Sequence, residues 1–118
     1  LIVTEPTVSG LHDFERIARL CLRLGVPALT VINKADLNNE MAKRIADSAP
    51  KLHAEVLAAI PFDLDVLRAQ VAARSVVEVS DGPAARAIKA MYSEVLARLS
   101  MAPDVHRNDI VSINTNVT

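Results

Sequence analysis

A chain of 118 residues with 51% apolar content is one domain by length and long enough to bury a core. Its net charge of −1, with both signs interspersed, offers no basic face for nucleic acid and no polybasic membrane patch. A single cysteine, Cys21, excludes an intrachain disulfide framework and fits a reducing, cytoplasmic setting, and no apolar run approaches the roughly 18 residues of a membrane span.

The chain opens on Leu1-Ile2-Val3, which reads as a short buried strand. With no initial Met, it reads as a piece of a longer protein or one with a trimmed start. Pro6 cannot donate to a ladder, so pairing is expected to end at Thr4-Glu5-Pro6. Ser9 or Gly10 then starts a helix, with Asp13 and Glu15 placed in its first turn. Leu11, Phe14, Ile17, Ala18, Cys21 and Leu24 recur at helical spacing, and Gly25 supplies the stop. Cys21 lies on that stripe and is read as a core filler.

Residues 27–32 form a second buried strand, and a helix with Met41, Ala42, Ile45, Ala46 and Ala49 on one face follows from about Asn38. Val56 to Ile60 is a third apolar run, ended by Pro61-Phe62-Asp63. Asp63 caps a helix whose Leu64, Leu67 and Val71 share a face, and Val76–Val79 reads as a short extended segment. Gly82-Pro83 opens a last helix with Pro at its first position, and Ala87, Ile88, Met91, Tyr92, Val95 and Leu99 form its stripe. Ala102-Pro103 closes it. Residues 1–100 are thus read as one domain and 101–118 as a tail, with weak strand alternation at Val111, Ile113 and Val117. Strands alternating with helices predict an α/β fold: a parallel sheet with helices on both faces and right-handed crossovers.

In open parallel sheets ligands sit beyond the carboxyl ends of the strands. Three strand ends here carry Thr4-Glu5-Pro6, Asn33-Lys34 and Pro61-Phe62-Asp63, which places them on one rim if all run parallel. The amide of Asn33 can donate and accept at once, matching the N7/N6 edge of adenine. The Lys34 stem can lie along a base face. Asp36 completes an Asn-Lys-x-Asp quartet and could accept from guanine, or it could simply cap the helix that follows. Asn33 and Lys34 also have plain readings as turn residues, and Glu5 as an exposed loop carboxylate. His12, His53 and His106 lack metal-ligand spacing, and Ser75, Ser80 and Ser93 lack a nucleophile elbow. Only Gly10, Gly25 and Gly82 are present, so no phosphate-cradling glycine loop can be assembled.

The blocks "VTEPTVSGLHDFER" (3–16), "VINKADLN" (31–38), "IPFDLDVLRAQVAARSVVE" (60–78) and "GPAARAIKAMY" (82–92) resemble the C-terminal half of MinD/Mrp-type P-loop ATPases of the SIMIBI class. The resemblance covers residues 1 to about 100 and is nearest to the subgroup with an inserted 4Fe-4S ferredoxin domain, the cobyrinic acid a,c-diamide synthase-like proteins. It implies a partial P-loop NTPase (Rossmann-like three-layer) fold with ATP as ligand and Mg in the parent protein. It also implies that Asn33, with Lys34 beside it, binds adenine, and that Pro61, Phe62 and Asp63 close over the same base. Leu1-Ile2-Val3 would lie next to the phosphate-loop strand. The deviant Walker A lysines, the switch aspartates and any ferredoxin insert would precede residue 1, so this chain alone would be inactive. Three alternatives stay open: an ATPase half, a GTPase half using Asp36, and a freestanding α/β interaction or regulatory domain. An exposed first strand predicts a homodimer or other self-association, or pairing with the tail.

Overall fold

A computed structural model describes residues 1–101, and the predicted tail and its strand lie outside the described residues. Three strands, β1 (Ile2–Thr4), β2 (Ala28–Asn33) and β3 (Ala54–Ile60), form one sheet in the order β1-β2-β3. Both pairings are parallel, with Val3 opposite Val31 and Ile32 opposite Ala59. The helices are α1 (Val8–Leu24), α2 (Asn39–Ser48), α3 (Leu64–Val71), α4 (Val76–Val79) and α5 (Pro83–Met101). Among the described residues no helix is long and apolar enough to cross a membrane.

The two faces of the sheet are covered by different helices. Phe14 and Ala18 of α1 and Met41 and Ile45 of α2 bury against Ile2, Ala28 and Ile32. On the opposite face Val31 and Ile60 pack under Ala84 of α5, with Ala87, Ile88 and Met91 around them. The predicted α/β sheet with helices on both faces is therefore the observed fold.

A register shift at Thr30/Val31 decides which way β3 delivers its end. Thr30 pairs with Val56 and Val31 with Ala58, so Leu57 is the extra residue of a bulge. Side chains alternate along a strand, so one extra residue exchanges the two faces. Val56 accordingly packs with the α1/α2 core, whereas Ala58 and Ile60 pack with α5.

Several local expectations are corrected. Helix α1 starts at Val8, ahead of the expected Ser9 or Gly10: Thr7 is its cap, with the Gly10 N–H donating to Thr7 Oγ1 at 2.9 Å. Its first turn therefore contains no acidic residue. Gly25 ends α1 as expected, at φ 67°. Asn38, not Asp36, caps α2, its Oδ1 accepting from the Met41 N–H at 3.0 Å. Leu1 and Val3 are 65% and 60% exposed, so β1 is covered on one face only. Leu64, Leu67 and Val71 are all exposed, and α3 is held by the small Ala69 together with Val66. Val76–Val79 is a helical turn: the Ser75 N–H donates to Glu78 Oε2 at 2.9 Å, the return half of an S-x-x-E capping box. In α5 the buried face comprises Ala84 and Ala85 with Ala87, Ile88 and Met91 partly buried, while Tyr92 and Leu99 are exposed.

Candidate functional site

Because all three strands run parallel, their carboxyl ends emerge on one rim. A cleft of about 310 Å³ lies there, lined by Glu5, Asn33, Lys34, Pro61, Phe62, Asp63, Val66, Leu67 and Gln70. Asn33, Lys34, Pro61, Phe62 and Asp63, the residues expected around an adenine, are in that lining together with Glu5 of the first strand end, whereas Asp36 is not. The volume is at the low end of the usual range for small-molecule sites, about 300–1,000 Å³. Pro61, Phe62, Val66 and Leu67 supply apolar walls, and Asn33, Gln70, Glu5 and Lys34 supply polar groups. A larger depression of about 400 Å³ between α1 and α2 is lined mainly by charged side chains. There Glu15 already accepts from Arg19 and Ser48, and only Leu11 and Leu52 among the lining residues are apolar.

The geometry of the rim starts with Lys34. Its backbone is left-handed, φ 53° and ψ 40°, a conformation that costs a non-glycine residue about 1–2 kcal/mol. That reversal ends β2 and sends the chain into a 3-10 turn, Ala35–Leu37, closed by the Leu37 N–H on the Lys34 carbonyl at 3.1 Å. Asn33, the last residue of β2, is half-buried, and its Oδ1 accepts the Lys34 N–H at 3.1 Å. Among the described residues its Nδ2 donates to no protein acceptor, so both a donor and a second acceptor lone pair remain for a ligand. Lys34 Nζ reaches Glu5 Oε1 at 2.8 Å. Both side chains of that pair are about half exposed, so it contributes roughly 0–1 kcal/mol and matters for placement more than for stability.

On the other flank, the Phe62 N–H donates to Asp36 Oδ1 at 2.7 Å. Lys34 therefore ties the rim to the end of β1, and Asp36 ties it to the end of β3. Asp63 is the cap of α3, as the sequence predicts, with Oδ1 accepting from the Asp65 N–H at 2.9 Å. Its Oδ2 also accepts from the Ala84 N–H at 3.2 Å, at the start of α5. One layer further out, Asp65 takes the Ser80 hydroxyl at 2.6 Å and Arg68 at 2.8 Å. First that hydroxyl and then the guanidinium hold the Asp65 carboxyl below its usual range. Among the described residues no group of three or more His, Cys, Asp or Glu side chains is arranged to hold a metal ion.

Sequence reasoning missed the α3 contribution. Gln70 and Val66 line the cleft, and Leu67, read from the sequence only as sharing a face with Leu64 and Val71, lines the same opening. An apolar residue followed three positions later by an amide, just past a capping Asp at a strand end, was the available signal.

No protein-family model and no curated protein matches the chain. Among solved structures, the cell-division protein MinD of Aquifex aeolicus superposes with a TM-score of 0.66 at 24% identity, over 81% of this chain and 42% of that one. The chain thus spans less than half the length of the structure it matches. At this level of identity the likeness is one of fold: three parallel strands with helices on both sides, arranged as in part of that structure.

Proposed function

We propose that this chain is the base-binding portion of an ATP-binding domain of the MinD/Mrp type, with the phosphates held by polypeptide outside the sequence. The observation that carries this reading is the convergence of Asn33, the Pro61-Phe62-Asp63 corner and Gln70 on one cleft at the carboxyl ends of parallel strands. Adenine would lie between Phe62, Leu67 and the Lys34 stem. Asn33 would bond the N6/N7 edge, and Gln70 would add a second amide. With only three glycines, none within a phosphate-loop pattern, the chain supplies no backbone cradle for a triphosphate. Hydrolysis, and the Mg that serves it, would then depend on the missing part. The longer sequence blocks extend the reading to the subgroup with a ferredoxin insert, and any 4Fe-4S cluster would reside in that insert.

The guanine reading requires the Asp36 carboxylate to face the base, but one of its oxygens is already engaged by the Phe62 N–H. Adenine is therefore favoured. Binding of the base alone is expected to be weak, on the order of millimolar, since a small ligand gains only about 0.3 kcal/mol per heavy atom or somewhat more. Competition among ATP, ADP, adenosine and GTP tests the proposal. Adenosine and ATP should bind similarly, GTP more weakly, and Asn33→Ala should weaken ATP about tenfold through the lost hydrogen bonds. Equal binding of ATP and GTP, or no effect of Asn33→Ala, would count against it.

A further inference from the structure

The end of β3 poses a local problem that Asp36 solves. Pro61 has no N–H and interrupts the ladder, so the Phe62 N–H is the first donor beyond the sheet and needs an acceptor from elsewhere. It donates to Asp36 Oδ1 at 2.7 Å, 26 residues earlier in the chain. Asp36 is in reach because left-handed Lys34 turns the chain into the 3-10 turn that carries it. The next residue, Asp63, is fixed independently through both its oxygens to the starts of α3 and α5. Phe62 is thus bracketed, its own N–H held by one carboxylate and its neighbour by another, while its side chain forms part of the cleft wall.

We propose that Asp36 is a positioning residue that fixes the Phe62 wall of the cleft and, engaged there, leaves base selection to Asn33. The part concerning the base rests on the purine reading above; the positioning itself does not. An Asn-Lys-x-Asp quartet reads guanine when its carboxylate is free to take two N–H groups from the base. Here the same four residues act as a crossbar: Lys34 reaches Glu5 beyond β1, Asp36 reaches Phe62 beyond β3, and Asn33 stays between them. The selectivity that follows is for adenine, set by Asn33, whose Nδ2 and second Oδ1 lone pair stay available beside its bond to the Lys34 N–H.

Amide hydrogen exchange on the full chain tests the positioning, read at Phe62 with the buried Ala18 and Ile45 as controls. In Asp36→Ala the Phe62 amide should exchange about tenfold faster while both controls keep their rates. Asp36→Asn, which retains an acceptor oxygen, should recover most of the protection. An unchanged Phe62 rate in Asp36→Ala overturns the proposal. Competition with ATP, GTP and xanthosine triphosphate tests selectivity. Asp36→Asn should keep the preference for ATP, whereas a gain of xanthosine triphosphate binding would place the carboxylate on the base and overturn it. If the unsubstituted chain binds none of the three, the purine reading falls, and the exchange rates alone decide whether Asp36 positions Phe62.

Discussion

Asp63 Oδ2 accepts the backbone N–H of Ala84 at 3.2 Å, so the residue that caps α3 also holds the first turn of α5, 21 residues away. Helix starts leave N–H groups without partners, and one carboxylate here serves two of them. Gly82 leaves room for the arrangement, since a Cβ there would stand 2.8 Å from Asp63 Oδ2. Asp63→Ala should lower stability by about 1–3 kcal/mol, and Asp63→Asn by less, as an amide oxygen can still accept. Urea unfolding midpoints measure both, and equal losses for the two variants would contradict the double-cap role.

Gly10 lies inside α1, where helix propensity alone favours alanine by about 1 kcal/mol. Packing opposes it: a Cβ at Gly10 would lie 2.1 Å from the Glu5 carbonyl oxygen, a backbone atom that can retreat only by separating α1 from β1. Gly10→Ala should therefore destabilise by about 2 kcal/mol or more. Gly25→Ala meets no atom within 4 Å but forces a side chain onto φ 67°, and should lose about 1 kcal/mol. Thermal unfolding of the two variants should rank Gly10→Ala as the worse, and the reverse order would show that α1 can shift away from β1.

The Asp65 carboxyl is held below its usual range, chiefly by the Ser80 hydroxyl and then by Arg68. A depressed folded-state value means the stabilisation is complete above the ordinary carboxylate range and is lost as pH falls through the folded value. Glu55, hydrogen-bonded by Arg98, behaves with the same sign. Ser80→Ala should move the Asp65 titration upward toward that of a free carboxylate while leaving Glu55 in place. Side-chain carboxyl NMR across the acid range reads each group separately. An Asp65 titration unmoved by Ser80→Ala would leave Arg68 as its main partner.

Strand β1 pairs on one side only among the described residues, and its Leu1 and Val3 are largely exposed. On α1, Ile17, Leu20 and Leu24 are also exposed, on the side of the helix opposite the Glu15 that bonds Ser48 of α2. An open strand edge beside apolar side chains is a template for pairing. The isolated chain is expected to self-associate, and Val3→Lys to shift it toward monomer, with sedimentation as the measurement. A chain that is monomeric at all concentrations would contradict this.

What the sequence disclosed follows from which features are local. The three strands and their common rim were legible because each apolar run ends in residues that stop a ladder: Glu5-Pro6, Asn33-Lys34 and Pro61. The cleft lining around Asn33 and Phe62 followed from that alone. The bulge at Leu57 was hidden, since Val56 to Ile60 is apolar whichever way it faces. Val76–Val79 looked extended because a β-branched run favours strand, a preference that the Ser75–Glu78 capping pair overrides. The α3 stripe was misassigned because alanine, not leucine, makes the close contact at position 69. The Asp36–Phe62 and Asp63–Ala84 bonds join distant segments and leave no periodic trace.

The central claim is that a purine occupies the rim cleft against Asn33 and Phe62. NMR titration of the chain with ATP locates the ligand directly. The account predicts concentration-dependent shifts of the Asn33 side-chain amide, the Phe62 N–H and the Leu67 methyls, all abolished or strongly weakened in Asn33→Ala. Shifts confined to the groove between α1 and α2, or none at the rim at millimolar ATP, would contradict it.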